Sequence, residues 1–149
     1  MDLCVHGRAN IWALKEAGCT HLIVSTACGS LKEEVQPGQL VILDGLIDMT
    51  KKRPTTFHDG VTPGAPNGIL HLPMEPIFSE ELRKFLITGA EELGIPHHAS
   101  GTAMVIEGPR FSTKAESNLF RMWGASVVNM TTAPEVMLFS LPVVILLLD

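Results

Sequence analysis

Positive charge is scarce in this sequence. The chain has 149 residues, and its 11 lysines and arginines are outnumbered by 16 aspartates and glutamates, so the formal net charge is −5. Binding to DNA or RNA depends on a cationic surface that neutralises backbone phosphates. The charge balance therefore argues against a nucleic-acid partner.

Cysteines and long apolar runs are scarce as well. Cys4, Cys19 and Cys28 are odd in number and share no C-x-x-C spacing, so we predict neither a disulfide framework nor a metal site. No apolar run approaches the roughly 20 residues that cross a bilayer, and Met1-Asp2 does not open a basic-then-apolar leader. We expect a soluble cytoplasmic protein without a membrane partner, with the nucleus as a further location.

Apolar residues are abundant, at 46%, which suffices for the core of one domain over residues 1–149. Helical spacing alternates with short β-rich runs, and strands that alternate with helices favour parallel neighbours. We therefore predict an α/β fold with a mixed, largely parallel sheet flanked by helices. The predicted helices cover residues 9–17, 79–93 and a segment from 113 to 124, with another near 134; the predicted strands cover 21–25, 40–43, 102–106 and a segment from 127.

The two ends of the sequence differ from the rest. Residues 1–8 are predicted to be a disordered tail. Residues 137–149 form a divergent apolar C-terminus, in which residues 141–148 (LPVVILLL) have the pattern of a strand buried on both faces. We expect this strand to be unpaired, the fold to be incomplete and the chain to aggregate readily.

Three small-residue loops follow predicted strands: TACGS at 26–30, EGPRFS at 107–112 and NMTT at 129–132. Ligands of parallel sheets gather outside the carboxyl ends of the strands. Hydroxyls and free backbone amides can surround a small anion there, although the same residue types also satisfy strand ends and cap helices. The long loop at 51–68 is of a kind that is more often functional than filler.

Longer runs of sequence point to a family. ANIWALKEAGCTHLIVSTACGSL (9–31), IEGPRFS (106–112) and NMTTAPE (129–135) resemble the methylthioadenosine phosphorylase family of the purine nucleoside phosphorylase superfamily. The resemblance covers about residues 9–136, roughly the middle half of a family member. It implies cleavage of methylthioadenosine by phosphate to adenine and 5-methylthioribose 1-phosphate, without an organic cofactor or metal. It also implies a homotrimer.

The resemblance assigns a phosphate site, since phosphate is a co-substrate. Thr26 matches a phosphate contact through its hydroxyl, and Ala27 matches one through its backbone N–H. Thr131 matches a further phosphate-binding threonine. We expect the loops of Thr26 and Thr131 to leave strands at the same edge of one sheet.

The resemblance also assigns nucleoside contacts. Met130 matches the residue against the ribose, Phe111 the aromatic wall beside the purine, and Ser112 a residue near the base edge. His71 matches a histidine that reaches across a trimer interface towards the 5′-methylthio group bound by a neighbouring subunit.

Two features of the family have no clear match. The aspartate pair that supports purine departure is missing, Asp149 does not convincingly replace it, and so no catalytic residue is assigned. The first strand with its phosphate loop is also missing, and the residues from His6 to Arg8 are either a remnant of the phosphate clamp that follows it or part of the tail. We expect impaired activity; the alternatives are an inactive relative that binds intact subunits and a 6-oxopurine nucleoside phosphorylase.

Other prominent residues are given structural interpretations. His97 and His98 are predicted to lie in a solvated loop, Cys28 to be a small packed residue, and Glu107 to hydrogen-bond within its strand-end loop. Arg53 and Arg110 suit surface packing as well as a position near phosphate. Neither arginine is therefore assigned to the site.

Overall fold

The computed structural model describes residues 7–139 and the backbone of residues 143–148. Helices and strands are interspersed along it, although four strands follow one another between the first and second helices. The helices are α1 (Gly7–Glu16), α2 (Glu80–Glu92), α3 (Lys114–Met122) and α4 (Thr132–Leu138). The strands are β1 (Leu22–Ala27), β2 (Gly29–Ser30), β3 (Leu40–Ile42), β4 (Gly45–Asp48), β5 (His97–His98), β6 (Thr102–Val105), β7 (Val127–Asn129) and β8 (Val143–Leu148). No helix in these described segments is both long and apolar enough to span a membrane.

Local sequence explains where α2 and α3 begin and where α2 ends. The side chain of Ser79 accepts a hydrogen bond from the backbone of Leu82 at the start of α2. Thr113 and Glu116 form a reciprocal capping box at the start of α3. Just beyond α2, Gly94 has φ +63°, a conformation in which glycine carries no steric penalty.

The strands form two four-stranded sheets, in the orders β1-β8-β3-β5 and β2-β7-β6-β4. Parallel pairing predominates: β1 with β8, β3 with β5, and β6 with both β4 and β7. The mixed, largely parallel α/β prediction is confirmed. The chain passes from the first sheet to the second three times: at Cys28 between β1 and β2, between β3 and β4, and between β5 and β6.

Strand β8 is an interior strand of the first sheet. It runs parallel to β1, with Leu22 opposite Val143, and antiparallel to β3, with Ile42 opposite Leu146. The prediction that this apolar segment is unpaired is therefore wrong. The cause is that β1 and β3 do not pair with each other and leave a place for a strand between them. Asp149 lies outside the described residues.

The predicted tail is wrong for its last two residues. Helix α1 begins at Gly7, which packs closely enough on α4 that a Cβ would lie 3.7 Å from Cγ of Pro134. Arg8 forms an ion pair with Asp59. These contacts anchor the start of α1. Residues 1–6, including His6, lie outside the described part of the chain.

The histidine pair is not a solvated loop either. His97 and His98 form β5, which pairs in parallel with β3. The His98 ring also lies 2.9 Å from the side-chain oxygen of Gln39. This short strand is held by tertiary pairing that its own sequence does not signal.

Apolar residues of both sheets share one core, and a second cluster lies beneath α3. The first core includes Ile11, Val41, Leu43, Ala103, Val127 and Val136, with Cys28 packed against it as predicted. The second comprises Leu31, Met104, Ile106, Phe120 and Ala125. The shared core fixes the ends of β1 and β7 relative to each other.

Candidate functional site

Thr26 and Thr131 meet, although they belong to different parts of the fold. Thr26 is near the end of β1 in the first sheet, and Thr131 follows β7 in the second. Their hydroxyl oxygens are 2.8 Å apart. The prediction of a common sheet edge is wrong, because the chain changes sheets between the two strands, yet the two hydroxyls converge.

The hydroxyl of Thr131 is not used to cap a helix. Thr131 occupies the N-cap position of α4 but makes no side-chain capping hydrogen bond. Asn129 instead organises this turn: its side-chain NH₂ donates to the Thr132 hydroxyl at 2.6 Å. The alternative that threonines here only cap a helix therefore holds for Thr113 on α3 but not for Thr131.

A cavity of about 690 Å³ lies next to this hydroxyl pair. Its walls come from the start of α1, the 51–68 loop, the segment after β6 and the segment after β7. Trp12 and Phe57 form an edge-on aromatic pair in the wall, with ring centroids 5.3 Å apart. The remaining lining residues that matter below are Arg8, Lys52, Arg53, Thr62, Glu107, Gly108, Met130, Thr131 and Glu135. The size and the largely apolar wall suit a small organic ligand.

Of the residues matched to the family's nucleoside contacts, only Met130 lines the cavity within the described part of the chain. Phe111 is 84% exposed. Ser112 instead lies with its hydroxyl 2.9 Å from that of Ser117. His71 is exposed on the surface, as its predicted place at a subunit interface requires. Ala27, matched to phosphate, is the exposed last residue of β1, and the roles of all four remain predictions.

Arg110 gives a physical reason for the position of Phe111. Its guanidinium donates to both carboxylate oxygens of Glu116, at 2.9 and 2.7 Å, and to the Phe111 carbonyl at 2.9 Å. These contacts hold the loop after β6 against the start of α3. The Phe111 ring is left facing solvent in this chain.

A network around Glu107 joins the 51–68 loop to the strand ends. One carboxylate oxygen accepts from the backbone N–H groups of Lys51 and Lys52, and the other accepts from Nε of Arg53 at 3.0 Å. These hydrogen bonds, of which the Lys51 contact is the largest, lower the pKa of Glu107. Glu107 thus has a structural role, but its hydrogen-bond partners belong to the 51–68 loop and not, as predicted, to its own strand-end loop. Arg53, which was not assigned to the site from the sequence, lines the cavity.

Two acidic groups near the cavity have shifted pKa values of opposite sign. Asp59 accepts hydrogen bonds chiefly from Thr62 and also from Arg8, and these contacts depress its pKa strongly. Burial raises the pKa of Glu135, with Arg53 opposing the shift. Loop residues thus favour a charged Asp59, whereas the cavity wall disfavours a charged Glu135.

Glu135→Gln should increase stability at neutral and alkaline pH. Because the folded state raises the Glu135 pKa, it binds the proton more tightly than the unfolded chain, so this group destabilises the fold increasingly as pH rises through its folded pKa. The gain from the substitution should be larger at pH 8 than at pH 5. Urea midpoints at the two pH values would measure it. Exposed Glu33→Gln is the matched control, and a gain independent of pH would contradict the prediction.

Comparisons with known proteins agree with the geometry. The model of the phosphorylase superfamily matches residues 6–141. The chain is similar to S-methyl-5′-thioadenosine phosphorylase of Drosophila melanogaster, 58% identical over 134 residues, and to a purine nucleoside phosphorylase of the same organism, 48% identical over 134 residues. Each alignment covers 90% of this chain and 46% of the relative.

A solved structure shows the same fold. The methylthioadenosine phosphorylase of Schistosoma mansoni, in complex with tubercidin, superposes with a TM-score of 0.91 at 39% identity, covering 97% of this chain and 58% of that one. The chain spans about half the length of the curated relatives it matches. Because the family model matches residues 6–141, nearly the whole sequence, the chain belongs to the phosphorylase superfamily.

Proposed function

We propose that this chain carries the phosphate site and part of the nucleoside site of a methylthioadenosine phosphorylase. The reaction would join S-methyl-5′-thioadenosine and phosphate to give adenine and 5-methylthioribose 1-phosphate. The observation that carries the proposal is the Thr26–Thr131 hydroxyl pair, 2.8 Å apart beside a cavity of about 690 Å³. The similarity to a methylthioadenosine phosphorylase, at 58% identity, supports the choice of substrate.

The chemistry explains why such a pair is useful. Cleavage of an N-glycosidic bond by phosphate develops positive charge on the sugar, so a phosphate dianion must be held close to the anomeric carbon and aligned with it. Threonine hydroxyls can donate to a phosphate oxygen once they no longer pair with each other. Thr26 and Thr131 would thus exchange their mutual hydrogen bond for hydrogen bonds to phosphate.

The nucleoside would occupy the adjoining cavity. Met130 lines the cavity next to Thr131. The ribose of a nucleoside placed beside the bound phosphate would therefore lie against the Met130 side chain. The reaction requires no organic cofactor or metal, because phosphate itself is the attacking group. Glu107 and Arg53 would shape the cavity rather than react.

Oligomerisation is a further part of the proposal. His71 lies in an exposed apolar stretch, in which Ile69 is 84%, Leu70 51% and Leu72 47% exposed. Such a patch on a small protein is typical of an interaction surface. We infer that this stretch contacts a second subunit in a homotrimer and places His71 near the neighbour's nucleoside.

Two other functions compete. The 48% identity to a purine nucleoside phosphorylase favours cleavage of 6-oxopurine nucleosides as the second candidate. A non-catalytic role, in which the chain binds intact subunits, follows if the groups that support purine departure are not supplied. Such support is typically worth about 10²- to 10⁴-fold in rate.

A phosphorolysis assay separates these functions. The purified chain is incubated with phosphate and, in turn, methylthioadenosine, adenosine and inosine, and free base is measured. We expect adenine release from methylthioadenosine in preference to base release from the other two nucleosides. Cleavage of inosine in preference would support the second candidate. No base release, together with co-purification with an intact subunit, would support the non-catalytic role.

A further inference from the structure

Arg53 connects three segments that follow neighbouring strands of the second sheet. Its Nε donates to Glu107, which follows β6, at 3.0 Å. Its Nη1 donates to the carbonyl oxygens of Met130 and Ala133, the latter at 2.6 Å, after β7. Arg53 itself belongs to the loop that follows β4. One guanidinium therefore ties together the carboxyl-end segments of β4, β6 and β7.

The two carbonyls that Arg53 binds enclose Thr131 in the sequence. Fixing Met130 and Ala133 restricts the backbone between them, and with it the direction of the Thr131 hydroxyl. Asn129 also restrains this segment, through the Thr132 hydroxyl at 2.6 Å, but its contacts with the Thr131 and Thr132 backbone N–H groups are long, at 3.4 and 3.5 Å. Arg53 supplies short contacts to backbone groups on both sides of Thr131.

We propose that Arg53 is a positioning residue: its guanidinium holds the segment from Met130 to Ala133 so that the Thr131 hydroxyl meets that of Thr26, and it does not bind phosphate directly. The inference rests on the proposed phosphate site. Nε and Nη1 of the guanidinium are both engaged, with Glu107 and with the two carbonyls.

Lysine cannot reproduce this arrangement. An arginine presents several donors in a fixed planar fork, whereas an ammonium group is a point charge on a flexible stem. Arg53→Lys retains the charge near the cavity but loses the simultaneous contacts with Glu107, Met130 and Ala133. Arg53→Lys therefore distinguishes the effect of the guanidinium contacts from the effect of the positive charge.

Arg83 provides a matched control. Its guanidinium also joins a glutamate to two backbone carbonyls: it binds Glu80 at 2.8 Å, the Leu43 carbonyl at 2.8 Å and the Ala99 carbonyl at 2.7 Å. Leu43 and Ala99 precede β4 and β6, so this second node lies at the opposite ends of the strands. Arg83→Lys should lower stability without affecting the Thr131 segment.

The first test needs no ligand. Amide hydrogen exchange of Thr131 and Thr132 is followed by NMR in the unliganded protein. Loss of charge-assisted hydrogen bonds in Arg53→Lys should speed this exchange by about tenfold, while Arg83→Lys leaves it unchanged. Glu107→Gln, which keeps the guanidinium but removes its carboxylate partner, should act in the same direction and replaces Arg53→Lys if that variant does not fold. Unchanged exchange at both threonines would overturn the proposal.

The second test distinguishes positioning from direct contact. Phosphate affinity is titrated for Arg53→Lys, Thr131→Ala and the double variant. We expect Arg53→Lys alone to weaken binding, and the double variant to bind no more weakly than Thr131→Ala, since residues that act through one another are non-additive. If the fold-loss of phosphate affinity in the double variant equalled the product of the two single fold-losses, Arg53 would contact phosphate independently of Thr131, and the inference would be overturned. If the unsubstituted chain does not bind phosphate, the proposed function fails, and the exchange experiment still decides the role of Arg53.

Discussion

Leu146→Pro should abolish cooperative folding of the chain. Residue 146 lies opposite Ser25 of β1 and opposite Ile42 of β3, so both sides of the strand are paired at this point. Proline removes a backbone donor and clashes within a central strand. An unsatisfied buried carbonyl alone costs about 1–3 kcal/mol, out of a total stability of about 5–15 kcal/mol for a typical domain.

Thermal unfolding followed by circular dichroism would measure the effect, and Leu146→Val is the control because it keeps the backbone N–H. We expect a cooperative transition for Leu146→Val and a broad or absent one for Leu146→Pro. The initial expectation of an unpaired strand predicts the opposite, that a proline there would be tolerated and would reduce aggregation. Equal melting temperatures for the two variants would contradict the interior position of β8 in the first sheet.

Thr131→Ala should weaken phosphate binding by about tenfold or more, because a hydrogen bond to a charged group contributes about 1.5–3 kcal/mol. The hydroxyl makes no capping contact, so its removal should cost helix α4 little. Isothermal titration with inorganic phosphate would measure the change in affinity. Thr131→Ala should therefore lower the affinity for phosphate and leave the melting temperature nearly unchanged.

Two substitutions at the same position sharpen this result. Thr131→Ser keeps the hydroxyl and should bind phosphate nearly as well as the unsubstituted chain. Thr131→Val keeps the shape without the hydroxyl and should resemble Thr131→Ala. If Thr131→Val bound phosphate normally, this threonine would have no place in the anion site, whatever its distance from Thr26.

Much of the fold could be predicted because its signals are local. The spacing of Thr113 and Glu116 identifies a helix start, and Gly94 marks a helix end. The short strands β4 and β5 carry no such signal. His97 and His98 are in a strand only because β3 lies beside them.

The site could be predicted only in part, for a related reason. Long matching runs of sequence identify Thr26 and Thr131, and their hydroxyls meet in the structure. The sequence does not assign Arg53 to the site, because an arginine before a proline in a long loop suits the surface equally well. Its contacts with Met130 and Ala133 span about 80 residues of sequence, and no local pattern encodes a contact of that range.

The Thr26–Thr131 hydrogen bond also joins the two sheets, since β1 belongs to one and β7 to the other. Any sliding or rotation of one sheet over the other must change the separation of these two oxygens. The proposed phosphate site would therefore respond to the alignment of the two sheets. A substitution deep in the shared core, far from the cavity, would then change phosphate affinity as well as stability.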